Sequence, residues 1–232
     1  MFGRAETGWR EQNEWYRAFA ARHPDRIRWG FGADPRHDGA LEAFRQAVRE
    51  GGAVCLKLHP ANGFALNDPS VYPLVEAAGE LGVPVVFHVG PSPVPSHSEW
   101  SDPALLDAVA ADFPDVPMLA GHTGNTLWRE VIGYAFYKPN VFCDLSGWQV
   151  RFAGNPERFY GDVREVLETI GPERVLWGTD APYYRGAVPD DTFLQALTDA
   201  PEGTFSAEEV EAICGGTAAT FFRLTEEDGP PG

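Results

Sequence analysis

Continuously apolar runs recur along the chain at a regular spacing. Six of them have the character of β-strands, because each is short, rich in β-branched or aromatic residues and closed by Gly, Pro or a polar side chain. Their starts lie roughly 25 to 35 residues apart, which is the size of one strand–helix unit. The six predicted strands are IRWGFGA from 27, AVCLKLHP from 53, VPVVFHVG from 83, VPMLAGHTG from 116, NVFCDLSG from 140 and RVLWGTDAP from 174.

The segments between these runs carry apolar residues at helical spacing. DGALEAFRQAVREGG ends in glycine, and DPALLDAVAADFP begins with an Asp cap and a proline in the first turn. SAEEVEAI opens with a capping box of Ser206 and Glu209. Helices that alternate with fully apolar strands predict a parallel sheet covered on both sides, either doubly wound or closed as a (β/α)8 barrel.

Two observations favour the barrel. No nucleotide-binding turn of the GxGxxG or GxxxxGK[ST] type follows any of the six runs. Polar side chains instead stand at the carboxyl ends of the runs, where the strands of a barrel converge on one mouth. These residues are Lys57, His59, His88, His122, Asp144, Ser146 and Asp180. The sequence therefore predicts an α/β fold of the TIM-type (β/α) barrel class.

The length of 232 residues fits a single domain, which we expect to span 1–224. The acidic segment 225–232 is rich in Gly and Pro, and we expect it to be disordered. The formal net charge of −16 argues against nucleic acid and anionic membranes as partners, because both require clustered Lys and Arg.

Cysteine usage and the lack of targeting segments bear on location. Cys55 and Cys143 lie inside apolar runs, Cys214 lies apart, and the odd number favours free thiols, two of them buried. No run reaches the ~20 apolar residues of a membrane span, and the first residues lack the apolar core of a signal peptide. We therefore expect a cytoplasmic protein.

His88, His122 and Asp180 are the candidate catalytic residues. Each closes an apolar run and is followed within two residues by Gly or Pro, so its side chain is able to point into the mouth. A carboxylate at the end of a buried strand needs a partner, since an unpaired charge in a dry interior is unfavourable. Imidazole and carboxylate are suitable ligands for a divalent metal such as Zn²⁺, and a bound metal would supply that partner.

Further polar and aromatic residues lie at strand ends or in the loops that leave the mouth. An Arg with neighbouring aromatic rings is able to clamp a planar carboxylated substrate. For each single position the structural alternative is a hydrogen-bonded residue or a rim ion pair. The predicted substrate-binding residues are Lys57, His59, His97, Trp148, Arg151, Tyr183 with its neighbour Tyr184, and Arg185.

The ordered motifs KLHP, PVVFHVG, PDVPMLAGHTG, NVFCDLSG and RVLWGTDAP, followed by GGTAATFFRL, resemble the amidohydrolase superfamily. The resemblance is to its branch of metal-dependent TIM-barrel hydrolases and decarboxylases, which includes aminocarboxymuconate-semialdehyde decarboxylase. It implies that His88 is a metal ligand and that Asp180 binds the metal and takes part in proton transfer. It also implies that His122 helps to activate or protonate the substrate.

The resemblance makes the strand of Asp180 the eighth, so the first two strands of the barrel are missing from this chain. In the family, the first strand carries a His-x-His pair that supplies two metal ligands, and no His-x-His occurs in this sequence. Three explanations remain open: a fragment or late start, missing strands supplied by a second subunit, or a site that works without metal. Because open sheet edges are sticky, we expect a homo-oligomer or a strand-completing partner.

The leading expectation is an enzyme that hydrolyses an ester, amide or lactone of a small organic acid. It would use either metal-activated water or His/Asp acid–base chemistry. One alternative is a decarboxylase, or a metal-free lyase or cyclase, acting on a small carboxylated substrate. The other is a non-catalytic barrel remnant that binds a ligand or a partner.

Overall fold

A computed structural model describes residues 8–224, in which all six predicted strands are present and alternate with helices. The predicted tail, 225–232, lies outside the described residues. The strands are β1 (Trp29–Ala33), β2 (Ala53–Leu58), β3 (Val85–His88), β4 (Met118–Gly121), β5 (Val141–Asp144) and β6 (Val175–Leu176). The helices are α1 (Gly8–Ala20), α2 (Ala40–Arg49), α3 (Tyr72–Leu81), α4 (Pro103–Asp112), α5 (Trp128–Tyr137), α6 (Gln149–Gly154), α7 (Pro156–Ile170), α8 (Asp190–Thr198), α9 (Ala207–Glu211) and α10 (Thr217–Phe221).

The strands form one parallel sheet in the order β1-β2-β3-β4-β5-β6. A doubly wound sheet reverses its strand order at a switch point, whereas the strands of a barrel wall follow one another along the chain. The observed order is therefore that of a barrel wall. Within residues 8–224, no helix combines the length and apolar character that crossing a membrane requires.

The two faces of the sheet are covered differently. Val85 and Phe87 belong to the main core, which also contains the apolar sides of the surrounding helices. The opposite face, which we call the inner face, carries a small second cluster made by Leu119, Leu176 and Phe221, the last from α10. Successive side chains of a strand alternate between the two faces of the sheet. On the inner face, the side chains that come after this cluster, towards the carboxyl ends of the strands, are therefore those of the strand-end residues. The apolar cluster thus closes the inner face below the predicted mouth.

The predicted starts of α4 and α9 are confirmed. The side chain of Asp102 accepts a hydrogen bond from the backbone N–H of Ala104 at the start of α4. Ser206 and Glu209 form the capping box of α9. Cys55 and Cys143 are buried free thiols, as expected, and burial raises the pKa of each to about 12.

The last strand differs from its predicted length. β6 ends at Leu176, because the backbone N–H of Trp177 turns away and donates to the carbonyl of Ile213 (2.8 Å) in a π-helical turn, Ala212–Gly216. The interpretation of Asp180 as the residue that closes this strand is therefore wrong. Asp180 stands in the loop that follows, at a positive φ of 50°.

Backbone groups on both outer strands are covered by the chain itself. The side-chain amide of Asn13 in α1 donates to the carbonyl of Gly32 in β1 and accepts from its N–H, each at 2.8 Å. A neighbouring strand would make the same two bonds. At the other edge, the Trp177–Ile213 bond has a similar effect. The edge backbone is thus less open at these two points than the sequence predicted.

We expect Asn13→Ala to lower the free energy of unfolding by about 2 kcal/mol, because the N–H and C=O of Gly32 lose their partners. Urea denaturation measures this change. The control is Glu14→Ala, which removes an exposed ion pair with Arg17 and should cost less than about 0.5 kcal/mol. A loss for Asn13→Ala no larger than that of the control would show that the amide does not support the edge.

Candidate active site

Three imidazoles meet at the carboxyl ends of β2, β3 and β4. The Nδ1 of His88 lies 3.1 Å from the Nε2 of His122. His59 stacks on His88, with ring centroids 4.1 Å apart and planes inclined by 12°. His59 follows β2, His88 ends β3 and His122 follows β4, so the parallel strand order brings the three rings together. In the structure, the carboxyl ends of these three strands lie side by side, as the sequence predicts.

The end of β5 holds His122 in place. One carboxylate oxygen of Asp144, Oδ1, accepts from the backbone N–H groups of His122 (2.9 Å) and Ser146 (3.0 Å) and from the Ser146 hydroxyl. The Ser146 hydroxyl oxygen in turn lies 2.8 Å from the Nδ1 of His122. Both the backbone and the ring of His122 are therefore tied to β5.

The turn that begins at His122 is strained. His122, Thr123 and Asn125 have φ values of 63°, 46° and 54°, in the left-handed region that costs a non-glycine residue about 1 to 3 kcal/mol. Bonds from the next segment hold it: the indole N–H of Trp148 donates to the carbonyl of His122 (2.9 Å), and Arg151 donates to the carbonyl of Asn125 (3.1 Å). The strain is thus concentrated where the ring of His122 is presented.

The amino group of Lys57 lies close enough to the rings of His59 and His88 to affect their pKa values. Burial lowers the pKa of its ammonium, while Asp144 and Asp180 act in the opposite direction and favour the charged form. Gly121 has no side chain of its own, and a Cβ added at that position would lie 3.7 Å from the Nζ of Lys57. The ammonium is therefore a candidate anchor for an anionic or carbonyl oxygen.

Asp180 faces the same group from the loop after β6. Burial raises the pKa of its carboxyl, whereas His122 and Lys57 act to lower it. The preceding carbonyl, of Thr179, accepts a hydrogen bond from Nε2 of the fully buried Gln149 (2.6 Å), which helps to hold this loop. A carboxyl that retains its proton more readily than usual is suited to exchanging protons with a substrate.

The histidines beside Lys57 are poor bases. Burial lowers the pKa of His88 to about 2, with neighbouring His59 and His122 adding to the effect. Burial and Lys57 together lower the pKa of His59 to about 4. Both rings are therefore neutral in the physiological range and present one N–H and one lone pair each.

Two predicted substrate-binding residues lie beneath the site instead. Trp148 is 1% exposed, and its indole N–H is used by the carbonyl of His122. Arg151 pairs with Asp162 at 2.9 Å and lies over the rings of Trp128 and Trp148. Both support the strained turn, which corresponds to the structural alternative stated for them.

The remaining predicted residues lie on the surrounding loops. His97 stacks on Trp100 with its side chain 59% exposed, and Arg185 pairs with Asp190 at 2.6 Å. Tyr183 is 66% exposed. Its neighbour Tyr184 is closer to the site, since burial and the Asp180 charge raise the pKa of its phenol.

Two roles were not predicted from the sequence. The Ser92 hydroxyl lies 2.7 Å from the Nε2 of His88, although nothing distinguishes Ser92 from the other serines of its proline-rich loop. The sequence places Ser146 at a strand end but does not indicate its role. Its spacing two residues after Asp144 would have been the available signal, because a serine hydroxyl readily bonds a carboxylate two positions back.

The donor set does not by itself fit a metal ion. Within residues 8–224, no group of three or more His, Cys, Asp or Glu side chains is arranged to hold one. His88 and His122 direct facing ring nitrogens at each other. His88 and Asp180, the two predicted ligands, belong to no such group among the described residues.

A protein-family model described as amidohydrolase matches residues 4–224. An L-fucono-1,5-lactonase from Burkholderia multivorans is 29% identical over 111 residues, which cover 45% of this chain and 38% of that protein. A 2-amino-3-carboxymuconate-6-semialdehyde decarboxylase from Dictyostelium discoideum is 23% identical over 226 residues, covering 84% of this chain and 61% of that protein. The chain spans about half the length of the curated relatives it matches.

Solved structures show the fold. The uncharacterized TIM-barrel protein Bb4693 from Bordetella bronchiseptica matches with a TM-score of 0.75 at 21% identity, covering 91% of this chain and 72% of that chain. A 5-carboxyvanillate decarboxylase from Novosphingobium aromaticivorans, solved in a complex with manganese, matches with a TM-score of 0.72 at 17% identity, covering 94% and 70%. The predicted α/β class with TIM-barrel architecture is confirmed.

The raised pKa of Asp180 leads to a prediction about stability and pH. Folding favours its protonated form, so this contribution is present at low pH and is lost as the pH rises through the raised pKa. Asp180→Asn stays neutral at every pH. We expect the variant to be more stable than the parent at pH 8, with the difference shrinking as the pH approaches 4.

Urea unfolding at several pH values measures this difference, and the exposed Asp115→Asn is the control without such a trend. An Asp180→Asn protein that is less stable than the parent at pH 8 would contradict the assigned environment of the carboxyl.

Proposed function

We propose, from the premise that the chain belongs to the amidohydrolase family, that it hydrolyses an ester, lactone or amide of a small organic acid. The observation that carries this proposal is the grouping of Lys57 in β2 and His122 after β4 with Asp180, which reaches them from the loop after β6. An ammonium, a carboxyl able to exchange protons and an oriented imidazole are the groups that acyl hydrolysis requires. The lactonase relative supports the same reaction class.

In the proposed reaction, the ammonium of Lys57 binds the carbonyl or carboxylate oxygen of the substrate. Asp180, as carboxylate, takes a proton from the attacking water and returns it to the leaving group. His122 contributes a ring whose position is set by β5 and which borders the space proposed for the substrate. The substrate-binding roles of His59, Tyr184, His97, Tyr183 and Arg185 belong to the same proposal, since these residues surround the group on strand ends and loops.

The cofactor proposal is separate. Zn²⁺ suits imidazole and carboxylate ligands, and this chain would contribute His88 and Asp180 to a completed site. When bound, a divalent ion supplies a water of lowered pKa. The roles given to Lys57, Asp180 and His122 do not depend on it.

Two further statements belong to the proposal. The rings of Trp15 and Tyr16 are 57% and 40% exposed on α1, which lies against the edge strand β1, and such a surface supports a homo-oligomer or a strand-completing partner. A clean monomer in sedimentation would count against it.

The buried free thiols Cys55 and Cys143 support a cytoplasmic location.

Decarboxylation of a small carboxylated substrate is the second candidate. Asp180 holds its proton above the ordinary range and would be able to deliver it to carbon. The decarboxylase relative and the decarboxylase structure favour this reading as well.

We expect the purified chain to hydrolyse members of a panel of aliphatic and sugar-acid lactones and small esters. Asp180→Asn should lower kcat by about 100-fold or more, because it removes the acid–base group. Lys57→Met should mainly raise KM. Lys138→Met is the matched control, since Lys138 pairs with Asp107 at 2.6 Å in another part of the fold. Release of CO₂ from carboxylates, without lactone hydrolysis, would establish the second candidate instead.

We expect elemental analysis to find well under one equivalent of zinc or manganese per chain, because two ligands hold a metal far less firmly than four. The protein should be expressed with each metal in excess and then dialysed. A full equivalent of metal that disappears in His88→Ala would contradict this expectation and would place the missing ligands within the chain.

A further inference from the structure

Five side chains form a continuous line of hydrogen bonds across the site. The Asp144 carboxylate bonds the Ser146 hydroxyl at 2.5 Å, and that oxygen lies 2.8 Å from the Nδ1 of His122. The Nε2 of His122 faces the Nδ1 of His88 at 3.1 Å, and the Nε2 of His88 faces the Ser92 hydroxyl at 2.7 Å. All four ring nitrogens of the two histidines are therefore engaged.

The direction of these bonds follows from the Asp144 end. A carboxylate only accepts, so the proton between Asp144 and Ser146 is the one that the hydroxyl has. With that proton used, the Ser146 oxygen accepts from the N–H at Nδ1 of His122. A neutral imidazole has one N–H, so the Nε2 of His122 is a lone pair and accepts from the Nδ1–H of His88. The Nε2 of His88 is then a lone pair that accepts from Ser92.

The opposite direction fails at one link. If Ser146 donated to His122, the two oxygens of Ser146 and Asp144 would stand 2.5 Å apart with no proton between them. Such an approach of a carboxylate and an oxygen lone pair is repulsive. Ser92, at the other end, is a hydroxyl that rotates to donate or accept, and so imposes no direction.

We propose that Asp144 and Ser146 are positioning residues that set the tautomers of His122 and His88. Both rings carry their proton on Nδ1, and His88 presents the lone pair of Nε2 towards the loop of Ser92. The side chain of Ser92 occupies the place where a donor from a substrate or water would bind.

The catalytic consequence rests on the proposed function. An imidazole that binds a metal or accepts a proton at one nitrogen is oriented by the partner of its other N–H. For His88 that partner is His122, and Asp144 acts on His88 through Ser146 and His122. Loss of such an outer partner lowers activity about 10- to 100-fold in comparable sites.

The test reads the tautomers directly and needs no substrate. Protein labelled with ¹⁵N in its histidines gives two-bond ¹H–¹⁵N correlations at pH 8 that distinguish Nδ1–H from Nε2–H. Substitution of His88 and of the other four histidines, one at a time, assigns the signals of His88 and His122. The variants are Ser146→Ala, Ser146→Thr and Ser92→Ala. The control is Ser101→Ala, which removes a buried hydroxyl that has no hydrogen-bond partner among the described residues.

In the parent protein we expect both rings in the Nδ1–H form. Ser146→Ala should shift the ratio of His122 tautomers by about fivefold or more, the effect of one net hydrogen bond. Ser146→Thr, which keeps the hydroxyl, should restore the parent pattern. Ser92→Ala and Ser101→Ala should leave His122 unchanged.

An Nε2–H form of His122 in the parent protein would overturn the proposal. So would an unchanged ratio in Ser146→Ala, or a change of His122 tautomer in Ser92→Ala, since that would place control at the other end. Because none of these outcomes involves turnover, they are independent of whether the protein is a hydrolase.

Discussion

The carboxylate of Asp144 is the interaction on which the site depends. It stands at the end of β5 and accepts the backbone N–H of His122, the first residue of a turn that is strained at successive positions. The same oxygen holds Ser146, and through it the ring of His122. Positive φ angles at non-glycine residues persist only where the surroundings hold them, and here a neighbouring strand end and the indole of Trp148 do so.

The ionisable groups of the site, Lys57, Asp144 and Asp180, interact through their charges. The carboxyl groups of Asp144 and Asp180 both favour the charged form of Lys57. Burial disfavours the charged forms of Lys57 and of Asp180. The uncharged rings of His59 and His88 fill the space beside them. Such a group is responsive to any charged ligand, because the energy of each member depends on the others.

Several features could be predicted from residue pattern alone. Six runs of apolar residues predicted the six strands, and the polar residues closing them predicted the convergence of His88, His122 and Lys57. Asp102 and Ser206 marked helix starts, since capping depends on bonds within a few residues. The sequence could not show that Trp148 and Arg151 donate hydrogen bonds to backbone carbonyls of the turn at His122. An aromatic residue or an arginine in a loop gives the same sequence pattern whether it contacts a ligand or a backbone carbonyl.

By itself, the sequence determined the class of the fold, the order of its strands and which residue types reach the mouth. These follow from local periodicity and chain order, which act over one strand–helix unit at a time. Only the tertiary structure decided that β6 stops at Leu176, that Asn13 covers Gly32, and that Asp144, Ser146, His122, His88 and Ser92 are joined in one line. These features depend on contacts between distant segments, whose distances and hydrogen-bond directions exist only once the strands are side by side.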